Sequence, residues 1–463
     1  MKIIVLNGSP KGDQSVTLHY VLFLKKKFPK HEFLFFNIAE RIKKIEKNEE
    51  TFQGIINEIN SSDAVIWAFP LYFLLVHANY KRFIELIFER KAESAFKGKY
   101  VYAISTSIHF YDHTAHNYIQ GICDDLDMQY YGRYSAGMSD LLKDDKRENF
   151  LKYSTLFFDS VEKKLPTTKF YSKIQYQNFE YIPKESKLKE KIELSGQKIL
   201  IVSDIEEETK SHNLQKMINK FKESFFDDIE EINLRDLNIK GSCLGCIQCG
   251  YDNQCSYIGK DDFIEFYDSK VKKADILIYA GTIKDRYLSS RWKMFFDRSF
   301  FNTHIPVLSG KQVGFIISGP LSQIPNLREI FMGWNETNKS NTVGFVSDDI
   351  QNSEKIDELL HCLALKSIKF SEISFVNELT MRGVGGRKIF RDDIWGGLRF
   401  PFRADYKFYK KHGLFDFPQK KRKSIFLSNI MLILSRSKGF RKEVNKRMKS
   451  EMVGPIKKII EEN

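Results

Sequence analysis

Short apolar runs alternate with longer amphipathic stretches from the first residue onward. Runs at 2–6, 32–37, 64–69, 100–106 and 128–136 are rich in β-branched and aromatic residues and have strand length. Between them, 16–27 and 79–88 carry apolar residues at helical spacing. Strands alternating with helices predict a parallel sheet covered by helices on both faces. After a polar, lysine-rich stretch near 167–197, the pattern restarts. Predicted strands follow at 198–203, 229–234, 274–279, 311–318 and 341–346, with a first helix over 214–225. The chain therefore reads as a diverged tandem duplication of one α/β unit. Its expected parts are a first domain at 1–165, a linker at 166–196, a second domain at 197–378 and a basic helical extension at 379–463.

Composition changes this picture in two places. The net charge is +13, and residues 418–463 alone hold thirteen Lys and Arg against four Asp and Glu. The basic excess is thus a property of the tail, and neither folded domain reads as a nucleic-acid binder. Within the tail, Ile425, Phe426, Leu427, Ile430, Met431, Ile433 and Leu434 lie beside the basic run 420–423. Such a helix either covers a domain face or lies on an anionic membrane surface. Ser428 and Asn429 interrupt its apolar run, which is too short to span a bilayer. Met1 leads directly into a strand and a glycine loop, without the pattern of a secretory signal, so a cytoplasmic location is expected.

The second change is in cysteine usage. Four of the six cysteines, Cys243, Cys246, Cys249 and Cys255, fall within thirteen residues at C-x2-C-x2-C-x5-C spacing. Clustered thiols in a cysteine-poor chain point to a reducing compartment and a metal centre. Soft sulfur donors suit an iron–sulfur cluster or zinc, and three cysteines spaced two apart favour a [4Fe–4S] cubane. Zinc, or no metal at all, is the competing reading.

Three loops at the predicted C-terminal edge of the first sheet offer a second chemistry. The first carries Ser9, Lys11, Ser15, Val16 and Thr17 ahead of a helix N-terminus, where hydroxyls, a cation and free N–H groups can cradle a phosphate. Its plainer reading is a capped βα turn. The second, Pro70, Leu71, Tyr72 and Phe73, supplies a wall for a planar ring or a buried apolar corner. The third contains Thr106 and Ser107, with His109 close behind. Three such loops at one sheet edge outweigh any one of them.

On these motifs the chain resembles the NAD(P)H-dependent FMN reductases, and more closely their iron–sulfur flavoprotein branch, over residues 1–376. The resemblance implies two tandem flavodoxin-like, doubly wound, five-stranded domains. It places FMN phosphate on Ser9, Lys11, Ser15, Val16 and Thr17, and the ring against Pro70, Leu71, Tyr72, Phe73, Thr106 and Ser107. It implies a cluster on the four cysteines. One departure is Val16, where the family often has Asn. The expected activity is transfer of electrons from NAD(P)H through FMN to the cluster and on to an acceptor, with no residue needed as acid, base or nucleophile. A redox protein is a candidate acceptor, and single-domain members imply homo-oligomers. A non-catalytic electron carrier and a zinc-stabilised binding module are the alternatives.

The second repeat departs further. Glu206, Glu207 and Glu208 stand where a phosphate would dock, and the loop from Gly281 to Tyr287 lacks a proline–aromatic wall. The expectation is a division of labour, with flavin in the first repeat, thiols in the second, and the two facing each other. Asp112 is expected to cap a helix bearing His113 and His116. Arg286, Arg291 and Lys293 are expected on a solvated face rather than at a nicotinamide phosphate. The Arg382–Gly386 run is expected to be a glycine-rich turn.

Overall fold

In a computed structural model of the chain, residues 1–184, 190–206, 212–416 and 422–462 are described. The first sheet contains β1 (Lys2–Asn7), β2 (Glu32–Asn37), β3 (Ala64–Pro70), β4 (Tyr100–Ser107) and β5 (Gln129–Gly137). All pair in parallel in the order β2-β1-β3-β4-β5. The second contains β6 (Ile199–Ser203), β7 (Glu230–Asn233), β8 (Ile276–Thr282), β9 (Gln312–Ser318) and β10 (Asn341–Ser347), in the order β7-β6-β8-β9-β10. The two orders are the same winding, with the first strand of each repeat between the second and third. This is the flavodoxin-like fold, twice. The central strands are buried on both faces, and runs such as Ile3–Leu6 and Ala64–Phe69 have no polar alternation.

The repeats meet through equivalent helices, Ala78–Glu89 and Ser290–Arg298, each following the third strand of its sheet. The contact buries charge. The Lys81 ammonium donates to Glu85 at 3.0 Å and to Asp285 of the other repeat at 2.9 Å. Tyr118 also donates to Asp285 at 3.0 Å, and the Ser290 N–H and hydroxyl both reach Glu85 at 2.6 Å.

Residues 1–408 form one compact unit, and Tyr409–Asn463 form another. The stretch after the first repeat packs as a strap: the Phe170 and Tyr171 N–H groups donate to Asp124, and Tyr181 is fully buried with its hydroxyl on Asp357. The expected glycine-rich turn at Arg382–Gly386 is instead part of a helix, Met381–Trp395, capped by Thr380. Its glycines serve close packing. A Cβ at Gly386 would strike the Phe110 ring, and one at Gly383 would crowd Leu379 and Glu336. The second unit contains helices Arg422–Leu434 and Lys438–Glu462. Among the described residues no helix is long and apolar enough to cross a membrane.

Candidate functional site

The loop after β1 is built by short-range hydrogen bonds. The Asn7 side chain donates to the Gly12 carbonyl at 2.9 Å and accepts from the Ser9 N–H at 3.2 Å, while the Ser9 hydroxyl accepts from the Lys11 N–H at 3.2 Å. Ser15 caps the helix Val16–Lys27 by accepting from the Leu18 N–H at 3.3 Å. The first turn leaves the Val16 and Thr17 N–H groups without intrahelical acceptors, at the positive end of a twelve-residue helix. Thr17 itself is buried, and its hydroxyl meets that of Thr106 at 2.6 Å, tying the first loop to the third.

The loop after β3 doubles back on itself. Tyr72 and Leu75 exchange backbone hydrogen bonds at 2.8 and 3.0 Å, with Phe73 and Leu74 between them at φ +36° and +62°. Two non-glycine residues at positive φ are a strained turn, the kind of strain that surrounding structure must hold in place.

These loops open on a cavity of about 410 Å³, inside the roughly 300–1,000 Å³ range of small-molecule sites. Ser9, Lys11, Ser15, Val16, Pro70, Leu71, Tyr72, Phe73, Thr106 and Ser107 line it. Thr17 is behind the wall. His109 is also off it: the residue sits at φ +61°, and its ring bonds Asp112 at 3.0 Å and is half exposed. Asp112 is the first residue of the helix Asp112–Asp125 rather than its cap, a place taken by Tyr111 at φ +60°. Its carboxylate accepts from Ser135 at 2.6 Å. His116 is buried against Ser105, and burial holds its imidazole down at about 3, so it is neutral.

All four clustered cysteines line the same cavity. Their loop is clamped to the first repeat. The His77 Nε2–H donates to the Cys243 carbonyl at 2.8 Å, Ser242 donates to Asn79 at 2.7 Å, and Lys43 donates to the Lys240 carbonyl at 2.7 Å. Beneath it, fully buried Arg298 forms a two-pronged pair with Asp261 at 2.7 and 3.0 Å, donates to the Gly241 carbonyl, and lies 4.1 Å from the Tyr257 ring centre. The Gly245 N–H donates to the Cys243 sulfur at 3.5 Å. Burial pushes the Cys243 and Cys249 thiols up to about 12 each, and each is pushed further by the other cysteines of the set. A bound cation would be needed to ionise this buried pair at neutral pH. Among the described residues no three His, Cys, Asp or Glu side chains are arranged to hold a metal ion. The expected cluster is therefore not shown by this structure.

The remaining wall comes from residues that no sequence motif marked. Phe300, His304 and Trp334 of the second repeat and Phe390, Pro401 and Phe402 beyond it close the cavity. A Cβ at Gly250 in the cysteine loop would strike the Pro401 carbonyl, so only a bare backbone admits this contact. His304 is fixed by the buried Asp405 carboxylate at 2.7 Å. The parts of this wall are brought together only by the fold, since Phe390 and Phe402 lie about a hundred residues after Phe300 and His304.

The corresponding edge of the second sheet is filled by the chain's own acids. Glu206 accepts from Arg235 at 2.5 Å and Lys284 at 3.0 Å. Glu207 and Glu208 lie outside the described residues. Asp348 accepts from the Gly319 N–H and the Ser318 hydroxyl, both at 2.7 Å, and from Asn213 at 2.9 Å. The expected solvated face is in fact an interior. Arg286 forks onto Asp125 with two bonds of 2.7 Å, Lys293 is fully buried against Asp297, and Arg291 donates to the Leu234 and Leu237 carbonyls. Each cation found a partner that the helical pattern alone does not reveal.

Comparison with known proteins agrees with the first repeat. Residues 1–139 match the family model of NADPH-dependent FMN reductases. Similar solved structures include an NADH:FMN oxidoreductase in its apo form, at 14% identity over 34% of this chain and 89% of that one, with a TM-score of 0.30. Another is FerB, a flavoenzyme NAD(P)H:(acceptor) oxidoreductase from Paracoccus denitrificans, at 18% identity over 35% and 97%, with a TM-score of 0.30. A third is general stress protein 14 from Treponema denticola in complex with FMN, at 12% identity over 35% and 98%, with a TM-score of 0.28. No curated protein sequence matches the chain.

Proposed function

We propose that this protein is an FMN-dependent NAD(P)H oxidoreductase whose flavin and a [4Fe–4S] cluster share one chamber, with electrons leaving through the cluster to an acceptor. The observation that carries this reading is the single cavity lined both by the first repeat's three loops and by all four cysteines of the second.

The residues present suit FMN. Lys11, the Ser9 and Ser15 hydroxyls and the helix N-terminus at Val16 and Thr17 would hold the phosphate by charge and N–H donation. Pro70, Leu71, Tyr72 and Phe73 would wall the ring, and Thr106 and Ser107 would supply polar contacts at its edge. Bound there, FMN supplies a carrier that takes a two-electron equivalent from a reduced nicotinamide and yields electrons singly. The chain's own work is to orient and to exclude water: Phe300, Trp334, Phe390 and Phe402 make the far side dry. The thiol set suits an iron–sulfur cluster in donor type, in number and in its amide-to-sulfur bond from Gly245.

The filled edge of the second sheet supports one flavin per chain. Anaerobic purification with flavin, iron and sulfide counts tests the reading. The expected result is one FMN with about four irons and four sulfides per chain, and steady NAD(P)H oxidation with an artificial one-electron acceptor. Flavin without iron or sulfide would remove the cluster and leave the reductase. A cofactor-loaded protein that NAD(P)H cannot reduce would instead make it an electron carrier.

A further inference from the structure

We propose that the second unit, Tyr409–Asn463, docks on the surface of an anionic lipid bilayer through the helix Arg422–Leu434. Met431, Leu432, Ile433 and Leu434 are consecutive and are exposed by 38%, 66%, 63% and 46%. At about 100° per residue, four consecutive helical positions point to every side. A helix built to cover one protein face needs an apolar stripe with polar residues behind it. In this helix the last turn, Met431–Leu434, is apolar on every side, and only Ser428 and Asn429 interrupt the apolar residues from Ile425 onward, which suits an apolar medium better than one protein face.

Length and charge then decide how it sits. Thirteen residues at about 1.5 Å each reach only about 20 Å, short of the roughly 30 Å hydrocarbon core. The helix therefore does not cross, and it lies along the interface of one leaflet. Its first turn carries Arg422 and Lys423, and Arg436 and Lys438 follow its last turn, so cations at both ends can reach the headgroups. The next helix, Lys438–Glu462, repeats Met448, Met452, Ile456 and Ile460 at four-residue spacing, all exposed. That stripe suits a helix lying in the interface beside its neighbour. Each Lys or Arg near an anionic surface contributes about 1 kcal/mol, and residues 418–463 hold thirteen of them against four acids.

The test uses the full chain and sedimentation with vesicles of phosphatidylcholine, with or without about one-third phosphatidylglycerol. The intact chain is expected to pellet with the anionic vesicles, to bind the neutral ones more weakly, and to release in high salt. Leu427→Asp with Ile433→Asp should lower partitioning at least about tenfold, with an unchanged far-ultraviolet dichroism spectrum showing an intact fold. Arg422→Glu with Lys423→Glu should lower it on anionic vesicles alone. The proposal is overturned if the intact chain stays in the supernatant, or if the apolar variant pellets equally well. It is also overturned if the intact chain ignores vesicles but elutes as a dimer that the same variant makes monomeric. The apolar helix would then belong to a second copy.

Discussion

Gly245, at φ +64° in the cysteine loop, lies against the Tyr72 hydroxyl of the opposite repeat. A Cβ there would collide with that oxygen and come within 3.2 Å of the Lys11 side chain. One glycine thus sets how closely the thiol loop approaches both the loop after β3 and the loop after β1.

Gly245→Ala is expected to push the two loops apart. The positive φ costs about 1 kcal/mol for a residue with a Cβ, and the collision adds to it. The variant should hold flavin several-fold less tightly, as measured by fluorescence titration, while the melting temperature falls by only a few degrees. Unaltered flavin affinity would show that the approach of the loops does not shape the site.

Much of this arrangement was readable before any coordinates. All ten strands fall within three residues of their expected ends, because parallel strands buried on both faces are continuous apolar runs set off by polar helices. The cysteine spacing was equally plain, while Ser15, read as a phosphate donor, also caps its helix. Pairings between distant residues were not. Arg286 reads as a surface cation until Asp125, 161 residues earlier, is seen beneath it. Gly383 and Gly386 read as turn residues until Glu336 and Phe110 show why a helix there must be bare. The far wall of the cavity was invisible for the same reason, since Phe390 and Phe402 meet Phe300 and His304 only through the tertiary fold.

The second sheet should bind no flavin. Its Gly319 N–H and Ser318 hydroxyl are already bonded to Asp348, and Glu206 holds the cations Arg235 and Lys284. Acid extraction of the purified protein should release one flavin per chain, and Lys11→Ala should remove nearly all of it. Residual flavin near half of the wild-type amount in that variant would reveal a second site.

Lys81→Met should be among the most destabilising single changes in the molecule. Lys81 is fully buried and is shared by Glu85 of its own helix and Asp285 of the other repeat. Removing it leaves two facing carboxylates without their common cation, a loss of about 3–5 kcal/mol. Denaturant unfolding should show the drop, and Lys81→Met with Asp285→Asn should recover part of it. Equal stability of the single variant and the wild type would mean the buried pair contributes nothing to joining the repeats.

Asp204 gives stability a pH dependence of opposite sign to that of a paired surface carboxylate. It follows β6 in the interior, accepts from the Ser289 hydroxyl, and burial raises its carboxyl from an ordinary 3.8 to about 7. Between those two values the folded chain keeps a proton that the unfolded chain releases. Stability contributed by this group is full below about pH 4, falls as pH rises toward 7, and is level above it. The shift corresponds to a loss of about 4 kcal/mol across the window. Asp204→Asn keeps an oxygen for Ser289 and cannot ionise. It should match the wild type near pH 4 and exceed it at pH 8 in denaturant midpoint, with the difference opening between pH 5 and 7. Parallel stability curves for the two proteins across that range would place the titrating group elsewhere.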